Sequence, residues 1–125
     1  MRNLILLGLA GALGTLGRYG LSGVVHRFAR ETFPMGTLCV NLVGSLVIGL
    51  VMHLVRDQQA LGPQARTVIV VGFLGGFTTF SAFSYETLEL LQGGSPLLAG
   101  ANVTAHVVLG IGAVWIGFAL GRLLF

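Results

Sequence analysis

Four apolar runs, residues 4–25, 36–55, 67–91 and 97–124, take up most of this 125-residue chain. Each matches or exceeds the roughly 20 residues an α-helix needs to cross the hydrocarbon core of a bilayer. Inside lipid every backbone N–H and C=O must be paired within the protein, so runs of this length fold as helices. The expected class is therefore an all-α membrane protein, with residues 1–125 forming a single four-helix transmembrane domain. Only 9% of the residues are charged, against about a quarter in a soluble domain. The polar interruptions mark the turns: His26 to Pro34 with Arg27, Arg30 and Glu31, then Arg56 to Arg66 with Asp57, Gly62 and Pro63, then the uncharged Gln92-Gly93-Gly94-Ser95-Pro96.

Composition removes several function classes. The seven basic residues are all arginines, scattered mostly at the edges of the apolar runs, which suits membrane orientation and lacks the clustered patch that nucleic-acid binding requires. Cys39 is the sole cysteine, so no intrachain disulfide framework exists. No nucleotide loop, Ser/His/Asp set or metal-spaced Cys/His set is present, and the chain reads as something other than an enzyme. Arg2, the following apolar stretch and the small residues Ala10, Gly11 and Ala12 imitate a signal peptide. Apolar character resumes past Tyr19, however, and gives one long span instead. Four spans set Arg2, Arg56, Arg66 and Arg122 against Arg27 and Arg30 across the membrane, a bias too weak to fix one orientation. No internal repeat is apparent, so a two-fold pathway would need a second copy of the chain. Gly8 with Ala12, Gly11 with Thr15, and Gly117 with Gly121 are each four apart and are expected at close helix contacts.

Residues 72–86, Gly-Phe-Leu-Gly-Gly-Phe-Thr-Thr-Phe-Ser-Ala-Phe-Ser-Tyr-Glu, place paired glycines and clustered hydroxyls within the third span. The Gly75-Gly76 pair is expected to weaken that helix, with a restart after Thr78-Thr79. Backbone freed at membrane depth must be buried in protein or line a polar cavity, which makes the break a candidate ion site. Carbonyls near Gly75 to Thr78 suit a hard cation. Amides and hydroxyls at the restart suit an anion. Phe80 and Phe83 follow at helical spacing, with Ser84 and Thr87 on the same face, and ring edges are positive enough to attract a small anion. On the second span Thr37, Asn41 and Ser45 share a face. Asn41 is able to replace part of an ion's hydration shell or, on the plainer reading, to tie two helices together.

These residues carry a resemblance. Residues 34–45, Pro-Met-Gly-Thr-Leu-Cys-Val-Asn-Leu-Val-Gly-Ser, together with residues 72–84 and Gly14-Thr15-Leu16-Gly17-Arg18-Tyr19, resemble the Fluc (CrcB-type) fluoride channels across all four spans. The resemblance implies an antiparallel, dual-topology homodimer in a bacterial-type inner membrane. It implies two fluoride pores and one structural sodium ion where the two broken third helices cross. By motif position Asn41 is the pore-lining amide, Phe80 and Phe83 are the fluoride-contacting rings, and Thr37, Ser81 and Ser84 give polar support. Gly75 and Thr78 supply backbone carbonyls to sodium, two from each subunit, and Thr79 continues the polar track.

One departure stands out. Where fourth spans of the family often carry a Tyr and, four residues later, a Ser, this chain has Asn102 and His106. These share a face with Gly110 and are candidate fourth-span lining. Arg18 and Glu86 are ionisable groups in or near spans, expected either to pair with each other or to bias an aqueous vestibule toward anions. Glu89 and His53, near helix ends, are expected to reach the interface. The implied function is passive, voltage-driven export of fluoride. The alternative, a small four-helix proton-coupled multidrug exporter, would carry a carboxylate in its first span, where this chain has Arg18 and no acid before Glu31.

Overall fold

From Arg2 to Phe28 the chain contains no proline and no acid, and it forms one uninterrupted helix, α1 (Arg2–Phe28). The computed structural model describes residues 1–29 and 32–125; Arg30, part of the charge balance above, and Glu31 lie outside the described residues. Pro34 stands before α2 (Met35–Arg56), where its missing N–H is no loss. The third span runs from Pro63 to Gln92. It consists of α3 (Pro63–Arg66), a π-helical stretch Thr67–Leu74, α4 (Gly75–Phe77) and α5 (Phe80–Gln92). The fourth joins α6 (Pro96–Thr104), π-helical turns Ala105–Leu109 and α7 (Gly110–Leu124). All four assemblies are long and apolar enough to cross a membrane. The described helices extend past the apolar runs at most ends. Arg2, Arg27 and Arg56 stand exposed near the ends of α1 and α2.

The second span is the centre of the fold. A third of its apolar window is buried, 33% against 6% for α1. It crosses α7 at glycines on both sides. A Cβ on Gly49 would overlap the Val114 carbonyl oxygen, and one on Gly117 the Leu46 carbonyl oxygen, so backbone meets backbone there. The first span packs on the third in the same manner, with Gly14 against Phe73 and Gly76 against Gly11. Of the small-residue pairs read from the sequence, Gly117 and Gly121 both lie at the α2 contact, whereas Gly8 faces open space.

Two expectations need correction. Gly75 and Gly76 are helical, and the backbone leaves helical geometry two residues later, at Thr78 (φ −80°, ψ 160°) and Thr79 (φ −150°, ψ 114°). The Gly76 position is reserved for the approach of α1, not for a kink. His53 does not reach the interface: it is 3% exposed, with Nδ1 3.0 Å from Asp57 Oδ2 and its ring edge-on to Phe118. Gly121 makes the room, since a Cβ there would sit 2.7 Å from the imidazole.

Candidate functional site

Extended backbone at Thr78 and Thr79 displaces the amides of residues 79–82 from their helical acceptors, and side chains take up two of them. A continuous helix would return the Thr79 N–H to the Gly75 carbonyl and the Ala82 N–H to Thr78. Instead Thr79 N–H donates to Asn41 Oδ1 at 2.8 Å, and Ala82 N–H to Thr79 Oγ1 at 3.2 Å, an N-cap for α5. Asn41 Nδ2 donates back to the Thr79 carbonyl at 3.0 Å. The carbonyls of Gly75 and Thr78 accept no backbone bond outside regular helix among the described residues. Gly75 is exposed and Thr78 half-buried on this face. Uncharged carbonyl oxygens are ligands of the type that suits hard cations.

Asn41 therefore acts as a brace between α2 and the interrupted span, and this part of its role is the plainer one read from the sequence. The brace leaves something over. Only one of its two amide protons is used on Thr79, and Asn41 lines a cavity of about 390 Å³ in which the second can meet a guest. Phe80, Phe83, Gly75, Thr78 and His106 line the same cavity. Phe80 and Phe83 stand 5.4 Å apart, tilted at 53°, and Phe83 lies 4.4 Å from the His106 ring. Phe80 is 80% exposed, so one chain supplies only part of the wall around it. The α2 side of the wall is close because Gly44 has no Cβ; one there would overlap the Thr78 methyl.

The remaining candidates separate into three groups. Thr37 lies away from the rings: its hydroxyl donates to Glu86 Oε1 at 2.5 Å, and it lines a second cavity of about 290 Å³ with Arg18, Tyr19 and Thr79. Glu86 in turn borders a third of about 500 Å³ with His26, Glu89 and Ser95. Polar groups thus fall into two hydrogen-bonded pairs, Glu86 with Thr37 and Asn41 with Thr79, that meet at the cavity Thr37 and Thr79 both border, and form one cluster there. Ser81 Oγ joins it 3.3 Å from Thr79 Oγ1. Ser84 does not; its hydroxyl donates to the Phe80 carbonyl on its own helix and it stays exposed. Asn102 is wholly buried, donates Nδ2 to Thr87 Oγ1 at 3.0 Å, and does not line the main cavity.

Arg18 and Glu86 form no ion pair among the described residues, where the charged contacts are His53 and Arg122 with Asp57. Glu86 has the Thr37 hydroxyl instead, and Arg18 faces the cavity. Sequence reasoning missed Thr79 as the anchor of the brace and Gly44 as its clearance. A Thr just before an apolar helix start is an N-cap signal, and it was legible in Thr79 to Ala82. The π-helical turns around His106 had no such signal.

A model of the family described as CrcB-like protein, Camphor Resistance (CrcB), matches residues 5–118. The chain is 48% identical over 124 residues to a fluoride-specific ion channel FluC of Geobacter sp. (strain M21), covering 99% of this chain and 100% of the relative. It is 47% identical over 124 residues to the protein of that name from Citrifermentans bemidjiense, with the same coverage. A third relative so named, from Nitratidesulfovibrio vulgaris (strain DSM 19637 / Miyazaki F), is 44% identical over 123 residues, 98% of this chain and 99% of its own.

Proposed function

This chain belongs to the CrcB-like family, and from that premise we propose that it is a fluoride-selective channel, an integral multi-pass membrane protein and not an enzyme, which lets fluoride leave the cytoplasm passively. The observation that carries the site assignment is the cavity shared by the Asn41 amide and the Phe80 and Phe83 rings at the Thr78-Thr79 interruption. Fluoride is small and strongly hydrated, so a selective path must replace its water with donors that do not hold it too long. A carboxamide proton and ring edges fit that requirement, being polar without a fixed charge. An inside-negative potential contributes about 2.3 kcal/mol per charge per 100 mV toward export. Thr37, Ser81 and Arg18 belong to the approach in this reading, Arg18 biasing the vestibule toward anions.

The reading extends to a second copy and a sodium ion. Two chains in an antiparallel, dual-topology dimer would each contribute the Gly75 and Thr78 carbonyls, and the ion would tie the two interrupted spans together as a fixed charge. The freed state of those carbonyls, their position on an open face, and the exposure of Phe80 support it. Its test is thermal unfolding of the detergent-solubilised protein in sodium against N-methylglucamine at equal ionic strength; equal midpoints would remove sodium from the reading. The channel itself is tested by fluoride efflux from proteoliposomes under a potassium potential, with wild type, Phe80→Ile and Phe83→Ile. Wild type is expected to release fluoride and each variant to slow it strongly. Proton-driven dye uptake without fluoride efflux would point to the exporter class.

A further inference from the structure

His106 holds its ring in one tautomer. Nδ1 lies 2.9 Å from the main-chain carbonyl of Asn102, and a carbonyl only accepts, so Nδ1 carries the hydrogen. In the neutral ring Nε2 is then an acceptor, and it is buried with no partner. Its neighbours share the deficit. Asn102 uses Nδ2 on Thr87 and leaves Oδ1 buried and unpartnered; Glu86 uses Oε1 on Thr37 and leaves Oε2 in the same condition. The Thr87 hydroxyl donates to the Phe83 carbonyl. Around the contact of α5 with the fourth span there are thus three buried acceptors without a partner, and each carries the desolvation cost of an unmade hydrogen bond.

A proton on Nε2 turns one of those acceptors into a donor and gives the ring a unit charge. That ring lies against Phe83 and lines the cavity of Asn41 and Phe80. We propose that His106 is a proton-dependent positive charge in the wall of the pathway: with Nε2 protonated the cavity holds fluoride more tightly, and with Nε2 bare it holds fluoride more weakly. The inference rests on the fluoride reading of this cavity. By linkage, fluoride entering the cavity draws a proton onto His106. Among groups packed around the ring, α5 contributes Glu86 as the acid whose field reaches it. The second span contributes Asn41 and Ser45, neither titratable, since His53 is turned toward Asp57 and Phe118. The first span's His26 faces Glu86 in the separate cavity.

The test measures fluoride efflux as a function of fluoride concentration at symmetrical pH from about 6 to about 8, the range in which an imidazole changes charge, with protein-free vesicles correcting for permeation of the protonated acid. Wild type is expected to half-saturate at a fluoride concentration about fivefold or more lower at the acid end. His106→Gln, which keeps size and polarity, is expected to lose that slope while still conducting; His53→Gln keeps it. Proton uptake on adding fluoride to weakly buffered, detergent-solubilised protein gives a second readout, expected for wild type and absent in His106→Gln. A pH-independent wild type, an unchanged slope in His106→Gln, or a slope lost in His53→Gln would overturn the inference and leave the channel standing. A wild type that passes no fluoride would take down both.

Discussion

Replacing Asn41 by Asp is nearly isosteric and separates the two roles of this side chain. One carboxylate oxygen keeps the acceptor position for the Thr79 N–H, now 2.8 Å away, while the other takes the place of Nδ2 against the Thr79 carbonyl at 3.0 Å. The lost bond and the facing oxygens leave a buried acceptor unmatched, worth about 1–3 kcal/mol of stability. The charge acts on the ion as well. A carboxylate about 4 Å from an anion, at an effective dielectric near 20, raises its energy by about 4 kcal/mol, roughly a thousandfold in occupancy. Asn41→Asp is therefore expected to fold with a lowered unfolding midpoint and to lose fluoride efflux from proteoliposomes almost entirely. Size-exclusion chromatography and thermal unfolding establish the fold, and a fluoride electrode reads the efflux. A folded Asp variant passing fluoride at the wild-type rate would refute the argument, because Asn41 would then be a brace and nothing more.

Other substitutions test the surrounding packing. Gly117→Ala should destabilise by about 1–3 kcal/mol, because the atoms it meets are the Leu46 backbone and cannot rotate away; Gly112→Ala, facing open space, should be neutral or stabilising by up to about 1 kcal/mol in the same unfolding assay. Thr79→Val removes the cap on the Ala82 amide but keeps both main-chain bonds to Asn41, and should cost about 0.5–2 kcal/mol by denaturant titration. Since Arg18 and Glu86 do not touch, the stability losses of Arg18→Gln and Glu86→Gln should add within about 0.5 kcal/mol in the double variant, where a direct pair would show rescue.

The spans were legible because one rule dominates in lipid: backbone groups pair within the segment, so the length of an apolar run sets the helix. Spacing places Asn41 on one face of its span and Phe80 and Phe83 on one face of theirs, and it is the family resemblance that joins them as a set; they meet at one cavity. Features decided by a tertiary partner were not legible. Gly75-Gly76 reads as a weak point from propensity alone, but Gly76 is needed so that α1 can approach, and the helical geometry ends where Asn41 offers a substitute acceptor. Arg18 and Glu86 look like partners in sequence because nothing there reveals that Thr37 occupies the carboxylate first. His53 reads as interfacial by its place near a helix end, and is buried because Gly121 clears space beside Phe118.

The hydrogen bonds of the third span also limit what its interruption can bind. Two of the displaced amides, Thr79 and Ala82, find side-chain acceptors, so the upstream side keeps a surplus of carbonyl oxygens at Gly75 and Thr78. Downstream the surplus is of the opposite kind. The first amides of α5, at Phe80 and Ser81, have no intrahelical acceptor, and the Phe80 and Phe83 rings add positive edges. Acceptors and donors are thus separated across two residues with no carboxylate or ammonium among them, which matters because a fixed charge at that depth is costly. Asn41 holds this separation in place, since only its acceptor keeps the Thr79 amide from returning to Gly75. Asn41→Leu should accordingly weaken both proposed sites together: without the brace the span regains a continuous helix, the carbonyls are taken up again, and fluoride efflux is lost along with whatever sodium dependence of stability the wild type shows. Loss of efflux with sodium dependence intact would mean that the upstream carbonyls are held free by something other than Asn41.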